Sequence, residues 1–460
     1  MFNKQKLKLN ILRKHAIARL LLASLLAAIA TSGVAANEIW LSSTNSLSYL
    51  KTQTDLGSGT TPNPYYGDFD YIMGHNVAPN TVVHLGSGIF WSTGVGASNT
   101  DASAIPAGVT LKGDGEAFTT IRRATNYSGY VQQNLTLLES HSSNITICDL
   151  TLDCNAFDLH NNHSTNGIGG VGLLGSGETL EHVTDINGIG YGYSVEGFQL
   201  VVGNYGQNNN KVMGCTVSNF LGNYGDGIAP SGDCLVEGNK IYFPVQTTPL
   251  TTNWWNPLFG INVVASSKGS MVINNYVYGG GDGFHNDTAG DTNLIIANNV
   301  FENVCEGVAL TGDQRPYNSV TISHNLILMQ TNYLRPYNQE FAIGLETLYA
   351  GQTNLNIVID GNIIRLYHDQ VWSVTNVITG AIGDGSQGAI YIHTAGAGQL
   401  NENISIVNNQ IDARLPIEFV SPISNLYASG NIPLNGTNFA TANGHPGLTN
   451  VAGLQTVSQY

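Results

Sequence analysis

Two aspartates and a histidine crowd between glycines in GGGDGFHND, residues 279–287, and a glutamate follows in CEGVALTG, residues 305–312. Asp282 is expected in a turn just before a short strand in which Phe284 takes the inward position. His285 and Asp287, two residues apart, then share the outward face. Glu306 holds the place of Asp282 one repeat later. Strands stacked on one another lie about 4.8 Å apart, so the two carboxylates are expected about 5 Å apart, the spacing of an acid and nucleophile pair in a retaining glycosidase. His285 and Asp287 are expected to orient a substrate, or to serve as the pair themselves if the turn points Asp282 away.

Other polar residues fall into the same columns. The turn position carries Glu196, Asp226, Asp282 and Glu306. One outward column carries Gln199, Asn262, His285, Tyr391 and Glu418, and the next carries Ser231, Asp287, Thr311, Glu346 and His393. No lysine or arginine occupies either outward column. Asp226, Glu346, Tyr391 and His393 are therefore candidates for substrate binding. The longest insertions all enter just before this strand: FPVQTTPLTTNWWNPLF with Trp254 and Trp255, then MQTNYLRPYNQEF with Arg335, then YHDQVWSVTNVITGAIGDGSQG. They are expected to wall a floor formed by residues 282–311, because long loops on a rigid scaffold concentrate function. Trp254 and Trp255 suit the apolar C–H faces of sugar rings.

The elements that must position these residues are repeats. An apolar alternation closing on asparagine recurs as CLVEGNKIY, SMVINNYVY, LIIANNVF, VTISHNLIL, IVIDGNIIRL, ISIVNNQID and LYASGNIP. Its aligned asparagines are Asn239, Asn275, Asn299, Asn325, Asn362, Asn409 and Asn431, with Leu150, Val183 and Cys215 at that place in earlier coils. Period-2 alternation bounded by Gly and Asn means short half-buried strands. Two or three such strands per repeat, stacked along one axis, make an all-β parallel β-helix of about ten coils. Stacked asparagines can hydrogen-bond amide to amide along the axis, which makes them structural.

These phrases, with GVTLKGDGEAFTTIRR and ITICDLTLDCN as first coils, resemble the pectate-lyase-like superfamily over residues 60–435 or so. The resemblance implies a single-stranded right-handed helix, and it spans lyases, hydrolases, epimerases and adhesins. GDGF followed one coil later by CEGVALTG is similar to the paired acidic motifs of polygalacturonase-like hydrolases, reaching Asp282 and Glu306. The Gly-His-Gly and Arg-Ile-Lys motifs of that family are absent, so polygalacturonase activity itself is not implied.

The chain is expected to divide into a signal peptide at 1–36, an N-terminal cap with its first strands at 37–106, the β-helix at 107–435 and a C-terminal tail or cap at 436–460. Lys4, Lys6, Lys8, Arg13, Lys14 and Arg19 precede an apolar run and then GVAA, the order of a secretory signal cleaved after Ala36. The run is shorter than the roughly 20 apolar residues of a membrane span, so an exported protein without membrane insertion is expected. Those six basic residues leave, of 17, and all 32 acidic ones stay, moving the net charge from −15 to −21. Such a surface disfavours nucleic acid. Five cysteines (Cys148, Cys154, Cys215, Cys234 and Cys305) without metal spacing suggest interior thiols. GDFDYIMGHN is expected to form a short helix opened by Asp68, part of a cap over the first coil.

Together these features favour cleavage of glycosidic bonds in a polysaccharide, by carboxylates and without a cofactor. Two alternatives stand beside it. One is a lyase or epimerase on uronates, which needs Ca²⁺ to neutralise the substrate carboxylate. The other is a non-catalytic protein that binds glycan or adheres to a surface.

Overall fold

The computed structural model describes residues 37–50, 52–94, 105–124, 135–156, 168–190, 197–202, 208–222, 225–243, 258–263, 269–286, 292–311, 316–329, 341–347, 353–365, 389–394, 400–413, 417–419 and 423–434. Short strands stack in parallel into a 23-stranded and a 12-stranded sheet. The larger sheet bends into two faces, because each coil contributes one strand before a corner and one after it. Cys234–Glu237 pairs with Met271–Ile273, while Lys240–Tyr242 pairs with Tyr276–Tyr278. The 12-stranded sheet is the third face and includes Gly225–Pro230, Leu258–Val263, Asp282–Asn286, Glu306–Leu310, Ile343–Thr347 and Ile390–Thr394. Strand-to-parallel-strand crossovers take the right-handed sense. The result is the right-handed parallel β-helix that the repeats imply, with three strands per coil.

Register turns each inward position into a column. Leu152, Val217, Ile241, Val277, Phe301 and Ile327 lie on the second face. Leu200, Ile228, Ile261, Phe284 and Val308 lie on the third. All are buried in one core. Apolar neighbours on adjacent rungs give most of these side chains close-packed partners above and below; Asp185 interrupts the second-face column between Leu152 and Val217.

The corner between the first two faces explains the recurrent Gly-Asn, Asn-Asn and His-Asn pairs. The first residue of each pair is left-handed: Gly238 (φ 67°), Asn274 (58°), Asn298 (57°), His324 (55°), Gly361 (65°) and Asn408 (56°). Only glycine and a few short polar residues adopt that conformation cheaply. The second residue is the buried ladder asparagine. Asn239, Asn275, Asn299, Asn325, Asn362 and Asn409 each donate Nδ2–H to Oδ1 of the next, ending on Asn431, at 2.9–3.0 Å.

Stacking begins earlier than residue 107. Asn37–Leu41 already pairs with Thr81–Leu85, which pairs in turn with Thr110–Gly113 as rungs of the long sheet. The expected helix is Phe69–His75, with Asp68 as its N-cap. It lays Phe69 against Phe90, ring centroids 5.7 Å apart, and buries Ile72 and Met73. All five cysteines are buried.

Candidate active site

Phe198, Asp226, Phe259, Asp282 and Glu306 stand one above another in register on the third face. Each is followed, three residues on, by a member of a second column that includes Ala229, Asn262, His285 and Ala309. Asp282 is the first residue of its strand, not a residue of the preceding turn. Strict alternation would separate positions three apart, yet Asp282 and His285 meet, with His285 Nδ1 2.6 Å from Asp282 Oδ2.

The cause is the glycine between them. The pairing register passes over Gly227, Gly260, Gly283 and Gly307, and each turns inward beside the apolar residue that follows it. A Cβ on Gly283 would lie 2.4 Å from Phe301 Cδ1 and 2.8 Å from Gly307 O. Two consecutive inward positions return the chain to the outer face one residue late. His285 therefore answers Asp282; Asp287, expected on the same outward face as His285, lies outside the described residues. Gln199 falls level with Gly227 and out of the Asn262–His285 column because Gly197 pairs with Gly225 and not with Gly227.

An ionised carboxylate only accepts, so the proton on this imidazole is assigned to Nδ1, leaving Nε2 for chemistry. The ring is held from two further sides. Phe259 stacks on it, 4.0 Å between centroids and 20° between planes, and Thr311 Oγ1 lies 3.4 Å from Nε2. Thr311 is fixed by donating to Asn286 O at 2.8 Å. Asn286 in turn accepts from Tyr317 Oη at 2.7 Å and donates to Val263 O at 3.0 Å. Upstream, Asn262 Nδ2 donates to Asp226 Oδ2 at 2.9 Å.

Asp226, Asn262, Asp282, His285 and Glu306 are all buried, and the most open of the five is His285 at 9 % exposure. Three carboxylates and an imidazole thus line one strip, from Asp226 to Glu306, with Phe259 between the first two carboxylates. Among the described residues no three His, Cys, Asp or Glu side chains converge as a metal site.

The other described candidates continue these columns on later rungs: Tyr391 follows His285, Ala309 and Gly344 in register, and Glu346 comes one residue after Leu345, the partner of Leu310. Tyr391, 7 % exposed, stacks on Phe341 at 6.0 Å and joins an apolar cluster with Ala309. Glu346 and His393 occupy paired positions on the strands Ile343–Thr347 and Ile390–Thr394. Asp287, Trp254, Trp255, Glu196 and Arg335 lie outside the described residues. Sequence reasoning had missed Phe259 and the Asn286–Tyr317 support; the recurring Gly before the inward residue was the signal that could have found the i, i+3 pairing.

No family model matches the sequence, and no curated protein sequence matches it either. Among solved structures, the chain is similar to a family 28 exopolygalacturonase of Yersinia enterocolitica, at 12 % identity over 88 % of this chain and 77 % of that one, with a TM-score of 0.49. It is similar to the A-module of a mannuronan C-5 epimerase of Azotobacter vinelandii at 15 % identity, over 82 % and 91 %, with a TM-score of 0.43. A third is the Dettilon tailspike protein at 17 % identity, over 79 % and 65 %, with a TM-score of 0.47. At such values the site must be read from its own geometry.

Proposed function

We propose that the protein is an exported enzyme that cleaves glycosidic bonds of a polysaccharide, with His285 and Glu306 as the reacting groups and Asp282 as the residue that positions His285. The observation that carries this reading is the 2.6 Å Asp282–His285 hydrogen bond with Glu306 on the next rung. Asp282 engaged in this way is no longer the natural partner acid for Glu306, so its role becomes that of an orienting carboxylate. With Nδ1 held by Asp282, Nε2 is the nitrogen left to give and take the reacting proton.

The reaction then runs in two steps. His285 gives its Nε2 proton to the glycosidic oxygen as the C–O bond breaks, and the Glu306 carboxylate attacks the anomeric carbon to form a glycosyl ester. His285, now neutral, takes a proton from water. The hydroxide equivalent attacks the same carbon and releases Glu306, so the anomeric configuration is retained. Phe259 shields the ring from water and keeps its plane fixed.

A second reading draws on the same pair. Neutral His285 can remove the proton next to a uronate carboxylate, the opening step of lyase or epimerase chemistry. That substrate needs a cation such as Ca²⁺ beside it, and the described residues provide no ready cage.

Steady-state kinetics on a glycan that the wild type cleaves separates the roles. Glu306→Gln and His285→Gln should each lower kcat by at least about 10²-fold, the low end for positioned acid–base groups. Asp282→Asn should lower kcat with little change in KM, the split expected when a positioning group for His285 is lost. Full turnover by both Glu306→Gln and His285→Gln removes the reacting pair from this strip.

A further inference from the structure

We propose that Asp226 and Asn262 form a subsite for a sugar hydroxyl, so that the unit bound beside the cleaved bond carries a free hydroxyl there and not a carboxylate. This rests on the strip being a glycan-cleaving site and specifies its substrate class.

The Asn262 amide has one orientation open to it. Its Nδ2 donates to Asp226 Oδ2 at 2.9 Å, and a carboxylate cannot accept from the oxygen side of an amide. Oδ1 is therefore turned away from Asp226. Asn262 is 2 % exposed, and its Oδ1 is buried with no hydrogen-bond partner among the described residues. A buried amide oxygen left in that state is costly, and a native structure keeps one where something else completes it. An O–H donor does so, and the Asp226 carboxylate beside it is a second acceptor for the same or the adjacent hydroxyl.

The position relative to the chemistry fits a neighbouring ring. Asn262 is in register with His285 on the next rung, a step of about 4.8 Å. Asp226 and Asp282 flank Phe259 in the other column. A sugar reaching from His285 Nε2 toward Asn262 crosses the Phe259 ring, which offers an apolar face to C–H bonds. A carboxylate at this place would meet the Asn262 amide oxygen and the Asp226 carboxylate, both acceptors, and an anion beside them is disfavoured. A donor-bearing neutral unit is the chemistry that matches.

Calorimetric binding to the Glu306→Gln protein tests this, with gluco-, galacto-, manno- and xylo-oligosaccharides set against length-matched oligogalacturonate, oligomannuronate and oligoguluronate. At least one neutral series should bind, with every uronate series weaker by about tenfold or more, as expected of a site built around the buried Asn262 Oδ1 as acceptor. Asn262→Leu in the same background should weaken neutral binding by about tenfold or more, with its circular dichroism unchanged. A uronate series that binds as tightly as the best neutral one overturns the inference, while wild-type cleavage of that uronate leaves the strip a glycan-cleaving site. Unaltered neutral binding by Asn262→Leu also overturns it. If no series binds and the wild type cleaves none, the glycan reading fails and the inference falls with it. The comparison of neutral and uronate series needs no folded Asn262 variant.

Discussion

Replacing Asn299 by alanine should weaken the β-helix at its middle without touching the candidate site. Its amide Nδ2 donates to Val272 O at 2.9 Å and to Asn325 Oδ1 at 3.0 Å, and its Oδ1 accepts from Asn275 N at 2.9 Å and Asn275 Nδ2 at 3.0 Å. Alanine removes all four bonds and leaves their partners buried. At roughly 0.5–1 kcal/mol net for each, the cost is about 2–4 kcal/mol. In a chain this long, unfolding entropy makes that a fall of about 2–4 °C in Tm. Asn431, which ends the ladder and is only part-buried in its contacts, should cost less when replaced. Hydrogen exchange gives the local reading, since the Asn275 amide loses its acceptor and should exchange at least about tenfold faster. If Asn299→Ala matches the wild type in both Tm and Asn275 exchange, or costs less than Asn431→Ala, the ladder is not the structural column described.

Three further outcomes are expected. Gly283→Val should destabilise by about 1–3 kcal/mol, because its Cβ meets Phe301 and Gly307 O and an overfilled core must shift; a chemical denaturation midpoint equal to that of the wild type contradicts this. Burial pushes the Glu178 carboxyl up to about 7 and that of Asp185 up to about 8. Both hold their protons when folded at pH values where the unfolded chain has lost them, so their contribution is fully present below about pH 4 and is lost as pH rises through 7 and 8. Tm should decline across that window, and Asp185→Asn should flatten the decline; a profile that rises instead refutes the assignment. Mass spectrometry of exported protein should find Asn37 as the first residue, whereas a retained Met1 contradicts cleavage after Ala36.

The parts of this molecule that repeat were legible, because each ladder asparagine and the left-handed residue before it recur with the coil. Register then carried Asp282 and Glu306 to adjacent rungs. The pairing of Asp282 with His285 was not legible, since period-2 reasoning assumes an unbroken pleat and Gly283 breaks it. Phe259 was passed over: it holds the place of Asp226 and Asp282 before Gly260, but an apolar residue there gave no sign of an outward role. Asp185 was hidden differently. It stands in register between Leu152 and Val217 in an otherwise apolar inward column, where its Oδ1 accepts from Cys154 Sγ at 3.2 Å. A Cβ on Gly170 would lie 2.5 Å from its other oxygen. Room for a buried acid comes from a glycine on another face of the same coil, and no local pattern announces that.

The most direct test of the central claim is product analysis after incubating the mature protein with a panel of neutral and uronate polysaccharides, followed at once by anomeric proton resonance and by ultraviolet absorbance. Cleavage through His285 and Glu306 predicts new reducing ends that first appear with the anomeric configuration of the bond that was cut, and no absorbance from an unsaturated uronate. Products of inverted configuration, or an unsaturated product that disappears when Ca²⁺ is chelated, would contradict it.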